Sequence, residues 1–376
     1  MSPHELFMQR ALALARRGEG LTRPNPPVGA VLVQNGKIIA EGFHKKAGKD
    51  HAEVVCLKST IGDLQSSILY VTLEPCSTTG RTPPCTDLIL ERGIKRVVIG
   101  AKDPNPAHAG RGIRILRRAG VEVTIGVCRA EAEALIAPFA KRILTGMPYV
   151  TLKLASTIDG RIADASGKSK WITGPQARAK VQELRRIADA IMVGAGTVRA
   201  DDPSLLPRPA KGRASYRVII GSNISAKSKV LCDEAADRTL LFSNSNIPTF
   251  QHSKAAIIPV SAKTSSGFLK SILRNLADRG IMHVLCEGGG ELAGSLVRAG
   301  LVDDFALFVS PSLLGGEGFP MVASPCGRCP ATAGPLSLRS GEKKGWTLSN
   351  MPLLSFQTLE KCGKDVFIRA NPVRRK

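Results

Sequence analysis

HAEVVCLKS (51–59), ILYVTLEPC (68–76) and CTDLILERG (85–93) are the stretches on which the reading of this chain turns. The first reads as a helix that opens on His51 with Glu53 two residues later. The second reads as a buried strand running into Pro75-Cys76, and the third as a helix opened by Cys85 and stopped by Gly93. One imidazole and two thiolates form a three-ligand set that leaves zinc's fourth position for water. Zinc lowers the pKa of that water from ~15.7 to roughly 7. Deamination also needs a group to move the water's proton to the ring nitrogen and then to the leaving amine, and Glu53 can do this without binding metal. The pattern predicts a zinc-dependent deaminase site with His51, Cys76 and Cys85 as ligands and Glu53 as the catalytic carboxylate. An isolated HxE or two lone cysteines would be bland, since free Cys is often a small buried hydrophobe. The ordered combination is more specific, and a purely structural zinc would leave Glu53 without a role. The usual deaminase cysteines are spaced C-x-x-C; here eight residues separate them, which points to a subfamily.

Outward from this core the first half alternates strand and helix signals. VGAVLV (28–33) and KIIAEGF (37–43) flank Asn35-Gly36, a hairpin turn signal. Strands KRVVIGA and VEVTIGV, a helix across ILRRAG and a helix from Glu131 to about Thr145 complete a three-layer α/β domain. Gly146-Met147-Pro148 closes that last helix, so the expected domains are 1–146 and 147–376. Beyond it, YVTLKLA, AIMVGAG, YRVIIG, TLLFS, AAIIPV, HVLCEGGG, DDFALFVS and DVFIRA read as the strands of a second α/β sheet. Helices are expected near 175–188, 267–279 and 290–299.

Composition sets the class. A chain of 376 residues suits two domains, and 43% apolar residues suffice for packed cores. No apolar run reaches the length of a bilayer span, and the N-terminus lacks the order of a signal peptide. Nine widely spread cysteines argue against a disulfide framework and for a reducing, cytoplasmic compartment. The net charge of +22 divides into +8 for residues 1–150 and +14 for the rest. Such basicity suits nucleic acid, phosphorylated small molecules or a solvated surface. The basic runs are short and aromatics make up only 4%, so stacking platforms for single strands are poorly supplied. No nucleic acid and no membrane are expected as partners.

PNPPVGAVLV, GFHKKAGKDHAEV, VTLEPCSTTGRTPPC and KDPNPAHAGRG resemble the deaminase half of the bacterial bifunctional riboflavin-biosynthesis deaminase/reductase family. The likeness covers nearly all of residues 1–145. It implies a cytidine-deaminase-like fold and a substrate, 2,5-diamino-6-(ribosylamino)pyrimidinone 5′-phosphate, whose ring amine becomes a carbonyl. By the same resemblance Asn25, His44, Arg81, Asp103 and Asn105 are substrate contacts, with Arg81 and the loop around Asn105 suited to the phosphate. Thr78 stands where the family usually has His in the substrate pocket; it can hydrogen-bond but carries no charge.

The second half offers EGGGELAG (287–294) after the strand HVLC. Its spacing is G-x-G-x-x-x-G, not the dinucleotide fingerprint, and alone it suits a tight packing turn as well as a phosphate cradle. LKLASTIDGRIA, SKWITGPQAR, LRRIADAIMVGAGTVRADDPSL and CEGGGELAGSLVRAGLVDDF resemble the reductase half of the same family. That likeness implies a dihydrofolate-reductase-like domain in which NADPH reduces the ribose to a ribityl chain. Carried over by position, Ala155, Trp171, Thr197, Asp201, Gly289, Gly290, Glu291, Leu292, Ala293, Gly294 and Ser295 contact NADPH. Ser169, Arg185, Leu205, Arg208 and Glu287 contact substrate, the two arginines suiting a sugar phosphate, and Lys153 and Asp201 stand near the reacting sugar carbon. Taken singly, Trp171 reads equally as a core aromatic, Asp202-Pro203 as a turn and Lys153 as a solvated strand residue.

The expectation is therefore a two-step enzyme on phosphoribosyl-pyrimidines, using zinc and NADPH and assembling as a homo-oligomer. Two rivals remain at this point: a reductase with an altered or inactive deaminase domain, and a nucleic-acid base deaminase. Cys326-Gly-Arg-Cys329 resembles a redox or metal pair but has no partner pair; Cys56, Cys128, Cys232, Cys286 and Cys362 read as structural.

Overall fold

Asn35 and Gly36 both adopt positive φ, 51° and 73°, and so form the tight turn that the sequence signals between β1 (Gly29–Gln34) and β2 (Lys37–Phe43). The structure is a computed structural model that describes residues 1–79, 83–209, 215–244, 253–323, 346–347 and 351–373. Arg81, Cys326 and Cys329 lie outside the described residues. The chain divides into two compact units, Met1–Gly146 and Met147–Lys376.

The first unit begins with α1 (Pro3–Arg16), whose start is a capping box: the Ser2 hydroxyl accepts from the Glu5 amide, and the Glu5 carboxylate accepts from the Ser2 amide. After the hairpin come α2 (Ala52–Lys58), β3 (Ile68–Leu73), α3 (Cys85–Glu91), β4 (Arg96–Ala101), α4 (Arg111–Arg118) and β5 (Glu122–Ile125). The sheet order is β2-β1-β3-β4-β5, with β1 antiparallel to both its neighbours and β3, β4 and β5 parallel. Alternation along each strand feeds two cores. Ala30, Leu32, Leu69, Val71, Val97 and Ile99 meet α2, α3 and α4, while Val31, Val33, Tyr70 and Val98 meet α1 on the opposite face.

The single helix expected from Glu131 to Thr145 is two: α5 (Arg129–Leu135) and α6 (Ala137–Thr145). Pro138 is the cause, because it has no N–H to donate and its ring excludes the carbonyl of Ala134. Gly146, at φ 70°, ends α6 and donates its N–H to the Arg142 carbonyl at 3.0 Å.

The second unit contains β6 (Tyr149–Thr157), β7 (Arg161–Ala163), α7 (Pro175–Ile187), β8 (Ala190–Gly194), α8 (Ala195–Asp201), β9 (Tyr216–Ile220), α9 (Lys229–Cys232), β10 (Thr239–Ser243), β11 (Ala256–Pro259), α10 (Ser265–Asp278), β12 (His283–Gly288), α11 (Gly290–Arg298), β13 (Asp304–Ser310), β14 (Phe319–Pro320), β15 (Leu354–Cys362) and β16 (Asp365–Pro372). Nine strands form one sheet in the order β11-β10-β9-β8-β12-β6-β13-β16-β15. Seven are parallel from β11 to β13, and β16 and β15 add antiparallel to the edge. α10 and α11 bury their apolar stripes on one face and α7 on the other. The short elements β7, α9 and β14 are not part of the sequence reading, and the structure departs from it at two further places. The strand AIMVGAG stops at Gly194, where α8 begins, and β15 was not expected, because seven of its nine residues are exposed and no buried face alternates in its sequence.

The first sheet is parallel from β3 to β5 and the second from β11 to β13, so side chains that follow the carboxyl ends of those strands collect in crevices. In the first unit Gly42 decides how closely α2 lies on β2: a Cβ there would sit 2.3 Å from the Ala52 carbonyl oxygen and 2.7 Å from the Cys56 nitrogen. Gly42→Ala must displace α2, whose N-cap is His51. It should cost ~1–3 kcal/mol, the usual penalty of overpacking, and lower zinc per chain; an unchanged denaturation midpoint with full metal content would contradict this account.

Candidate active sites

His51 sits just ahead of α2, Cys76 just past the end of β3, and Cys85 at the first residue of α3. Their ligand atoms all lie within 4.8 Å of one another. His51 Nδ1 is 3.3 Å from Cys85 Sγ and 3.5 Å from Cys76 Sγ. A tetrahedral zinc with ordinary bond lengths separates N and S ligands by about 3.6 Å, so the three atoms already have the spacing of a metal site, and Nδ1 is the coordinating nitrogen. Electrostatics agree. The Cys76 thiol is held down by the donating Cys85 thiol, against burial and with help from His51, while the same pairing and burial push Cys85 up. Glu53 is 4% exposed, and burial followed by the neighbouring Cys76 pushes its carboxyl up to about 7. Two thiols and a carboxyl packed together cannot all ionise unless a cation joins them, which is what zinc supplies.

Beside the ligands, His44 is buried and its ring lies 5.3 Å from that of His51, edge to face. Its Nδ1 is 3.0 Å from the Asp50 carbonyl oxygen and so carries the proton, leaving Nε2 to accept from the Asn25 amide at 3.1 Å. Burial lowers its pKa, keeping the imidazole neutral. Asp103 and Asn105 follow β4; Asp103 accepts from the Asn105 amide at 2.8 Å, and burial raises its carboxyl. Asn25, His44, Asp103 and Asn105 thus lie on the segments after β4 and before β1 and α2. Glu74 was missed. It stands in the quoted EPC motif, is 5% exposed, and accepts from three backbone amides of the 103–113 segment. The residue type was visible; its partners, far along the chain, were not.

In the second unit a cavity of about 2320 Å³ opens at the carboxyl ends of β6, β8, β9 and β12. It is lined by Lys153, Ala155, Ser169, Trp171, Arg185, Thr197, Asp201, Leu205, Arg208, Glu287, Gly289, Gly290, Glu291 and Leu292. Arg185 and Glu287 form a two-pronged pair across it, Nε to Oε1 at 2.5 Å and Nη2 to Oε2 at 2.8 Å. Burial opposes the charge on Glu287, but Arg185 and then Lys153 override it and hold the carboxyl low. Burial pushes the Lys153 ammonium down, with Glu287 opposing and Arg185 adding. Lys153 is therefore not a solvated strand residue. Nor is Trp171 a core aromatic: it is 69% exposed at the cavity, with the Arg178 guanidinium 4.5 Å over its ring. Asp201 accepts from the Ser169 hydroxyl at 3.3 Å and lies 3.4 Å from Lys170 Nζ.

The glycine-rich segment serves two purposes. Gly288 and Gly289 take φ of 95° and 81° and bring the backbone past Thr197 at the cavity. At Gly290 and Gly294, a Cβ would strike the Pro320 and Ala323 carbonyl oxygens at 2.4 and 2.0 Å. Those two positions admit the crossing 320–323 segment. Ala293, Gly294 and Ser295, expected at the cofactor, are not brought to the cavity: Ala293 is in the core, and the Ser295 hydroxyl donates to the Glu291 carbonyl at 2.8 Å. Also missed was Arg217 on β9, fully buried, paired with Asp233 at 2.6 Å and donating to the Ser204 carbonyl on the cavity wall. A charged residue inside an apolar strand is the signal that could have found it.

Residues 1–101 match the model of the cytidine and deoxycytidylate deaminase zinc-binding region, and residues 148–328 match that of the RibD C-terminal domain. Fold and sites thus define a zinc deaminase joined to a reductase. The riboflavin biosynthesis protein RibD of Bacillus amyloliquefaciens is 40% identical over 98% of this chain and 96% of its own. That of Escherichia coli (strain K12) is 39% identical over 83% of this chain and 89% of its own. Among solved structures, Acinetobacter baumannii RibD superposes with a TM-score of 0.82 at 34% identity, covering 99% of both chains. The Thermotoga maritima diaminohydroxyphosphoribosylaminopyrimidine deaminase/5-amino-6-(5-phosphoribosylamino)uracil reductase superposes at 0.81 with 37% identity, again covering 99% of both chains. The chain belongs to the RibD family, the bifunctional enzymes of riboflavin biosynthesis, with zinc and NADPH as cofactors. Neither rival reading, the inactive deaminase or the nucleic-acid base deaminase, is favoured.

Arg185 and Glu287 are 11% and 8% exposed at their side chains, so neither charge is easily left alone. Arg185→Met should destabilise the second unit by ~3–5 kcal/mol, whereas Arg185→Met with Glu287→Leu should come close to the wild-type stability. Denaturation of the single and double variants measures this; equal losses in both would refute a desolvated, mutually dependent pair.

Proposed function

We propose that residues 1–146 deaminate 2,5-diamino-6-(5-phosphoribosylamino)pyrimidin-4(3H)-one and that residues 147–376 reduce the ribosyl group of the resulting 5-amino-6-(5-phosphoribosylamino)uracil. The observation that carries the first assignment is the convergence of His51 Nδ1, Cys76 Sγ and Cys85 Sγ with Glu53 buried beside them. These three side chains hold zinc, which supplies an acidified water when bound. Glu53 takes the water's proton to the ring nitrogen and then to the amine; a C–O bond forms, the C–N bond breaks and ammonia leaves. Asn25 and neutral His44 fix the substrate beside the ligands. Asp103 and Asn105 hold it from the segment after β4, with Arg81 on the phosphate.

In the second unit NADPH supplies a hydride. The exposed face of Trp171 and the backbone at Gly289 and Gly290 hold the cofactor, with Ala155, Thr197, Glu291 and Leu292 on the same wall. Lys153 and Asp201 stand at the reacting sugar carbon. Ser169, Leu205, Arg208 and Glu287 contact the substrate. Arg208 supplies phosphate donors, while Arg185 divides its guanidinium between substrate and Glu287. The same reading makes the enzyme cytoplasmic and homo-oligomeric. The seven described cysteines are all free, which suits a reducing compartment. β15 exposes Phe356 and Leu359 on the outermost strand, the kind of edge a second copy covers. No helix among the described residues is long and apolar enough to cross a membrane.

Following ammonia release and NADPH oxidation separately tests both halves in one chain. Glu53→Gln should lower ammonia release by about 10²–10⁴, the usual worth of a positioned acid–base group, with zinc retained and reduction of the deaminated intermediate unchanged. Lys153→Met should do the reverse. A wild-type chain that never oxidises NADPH with the deaminated intermediate would defeat the second assignment.

A further inference from the structure

Glu74 separates the zinc turn from the segment that closes over it. It is the last residue before Pro75-Cys76, is 5% exposed, and donates its own N–H to the Ala101 carbonyl at 2.9 Å at the end of β4. Its carboxylate accepts three backbone hydrogen bonds from the next crossing. The Asp103 amide reaches Oε2 at 3.2 Å, the Gly110 amide reaches the same oxygen at 2.9 Å, and the Ile113 amide reaches Oε1 at 3.3 Å. These donors bracket the whole segment: Asp103 opens it, and Gly110 and Ile113 bind the start of α4. Between them the hydrogen bonds among the described residues are local: the Asp103 carboxylate accepts from the Asn105 amide, the Asn105 side chain from the Ala107 amide at 3.1 Å, and the Asn105 carbonyl from the His108 and Ala109 amides at 2.9 and 2.8 Å. Contact is also steric. A Cβ on Gly112 would sit 2.2 Å from the Pro75 carbonyl oxygen, so α4 lies directly against the zinc turn.

We propose that Glu74 is a positioning residue of the deaminase, fixing the Asp103–Gly110 segment at a set distance from the zinc-bearing Cys76. The proposal rests on the deaminase reading and on Asp103 and Asn105 as substrate contacts. Glu74 does not touch the reacting atoms. It acts by satisfying three backbone amides at once, that of Ile113 fully buried, and no uncharged side chain of its size accepts so many, because one terminal group of Gln donates. The geometry differs from ordinary helix capping in that the acceptor belongs to the metal turn. A displaced 103–110 segment thus means a misplaced substrate, with metal and Glu53 still in place.

Glu74→Gln and Glu74→Asp, made in the full chain, separate this from a structural role. Zinc per chain and NADPH oxidation with the deaminated intermediate should equal the wild type. The KM for ammonia release should rise at least about tenfold in Glu74→Gln, the scale of losing one charge-assisted bond, with kcat within about threefold, and rise less in Glu74→Asp. Hydrogen exchange should quicken at the amides of 103–113. Combining Glu74→Gln with Asn105→Ala should add little to the KM of either single variant, because both act through one segment. An unchanged KM in a zinc-loaded variant, unchanged exchange, fully additive penalties, or zinc lost from both variants overturns the proposal. A wild-type chain that releases no ammonia defeats the deaminase reading instead.

Discussion

Cys76, Cys85 and Glu53 place three groups that ionise to anions within one buried corner, with the His51 imidazole as the third metal ligand. Like charges at that spacing in a poorly solvated site disfavour ionisation by several pK units, and the site resolves this with one divalent cation. Everything else in the first unit serves to keep the corner tight. Gly42 lets α2 lie on the sheet so that His51 arrives at the thiols. Leu73 and Ala101 end adjacent parallel strands side by side, so Cys76 and the 103–110 segment emerge together. Glu74 then fixes the gap between them.

The reductase cavity meets the same constraint by a different route. Its buried carboxylate, Glu287, is answered inside the protein by the fork of Arg185, with the ammonium of Lys153 as a further neighbour. A bidentate pair satisfies directional bonds as well as charge, so the wall keeps its shape without a ligand. Arg217 repeats the device one strand away, closing on Asp233 while donating to the Ser204 carbonyl. This pins the loop in which Asp202 and Leu205 take φ of 40° and 58°, values that non-glycine residues adopt only when their surroundings enforce them.

Local chemistry was legible in the sequence wherever one residue type dictates it. Asn35-Gly36 announced the hairpin, ILYVTL the strand that became β3, and His51, Cys76 and Cys85 the metal set. The losses arose where the deciding partner is remote or the signal is ambiguous. Pro138 was on the page, yet an apolar pattern running to Thr145 hid the break it causes. Glu74 was quoted within a motif, but its role depends on amides 29 to 39 residues away. EGGGELAG read as either a packing turn or a cradle, and it is both: Gly288, Gly289 and Gly290 line the cavity, while Gly290 and Gly294 also admit a backbone crossing that no sequence spacing encodes. β15 has no buried face, so periodicity could not report it.

The two units therefore differ in how folding couples to cofactor. In the reductase, the buried charges of Glu287 and Arg217 each close on a protein partner of opposite sign. In the deaminase, the ligand corner gathers two thiols and a carboxyl; pairing with Cys76 pushes the Cys85 thiol up, and burial pushes the Glu53 carboxyl up. Zinc takes its two cysteine ligands as thiolates, so affinity for zinc rises with pH, and the binding energy becomes stability where the ligands are anchored at the start of α2 and α3. The sheet beneath carries an apolar core on each face, one of which takes in α2 and α3 themselves.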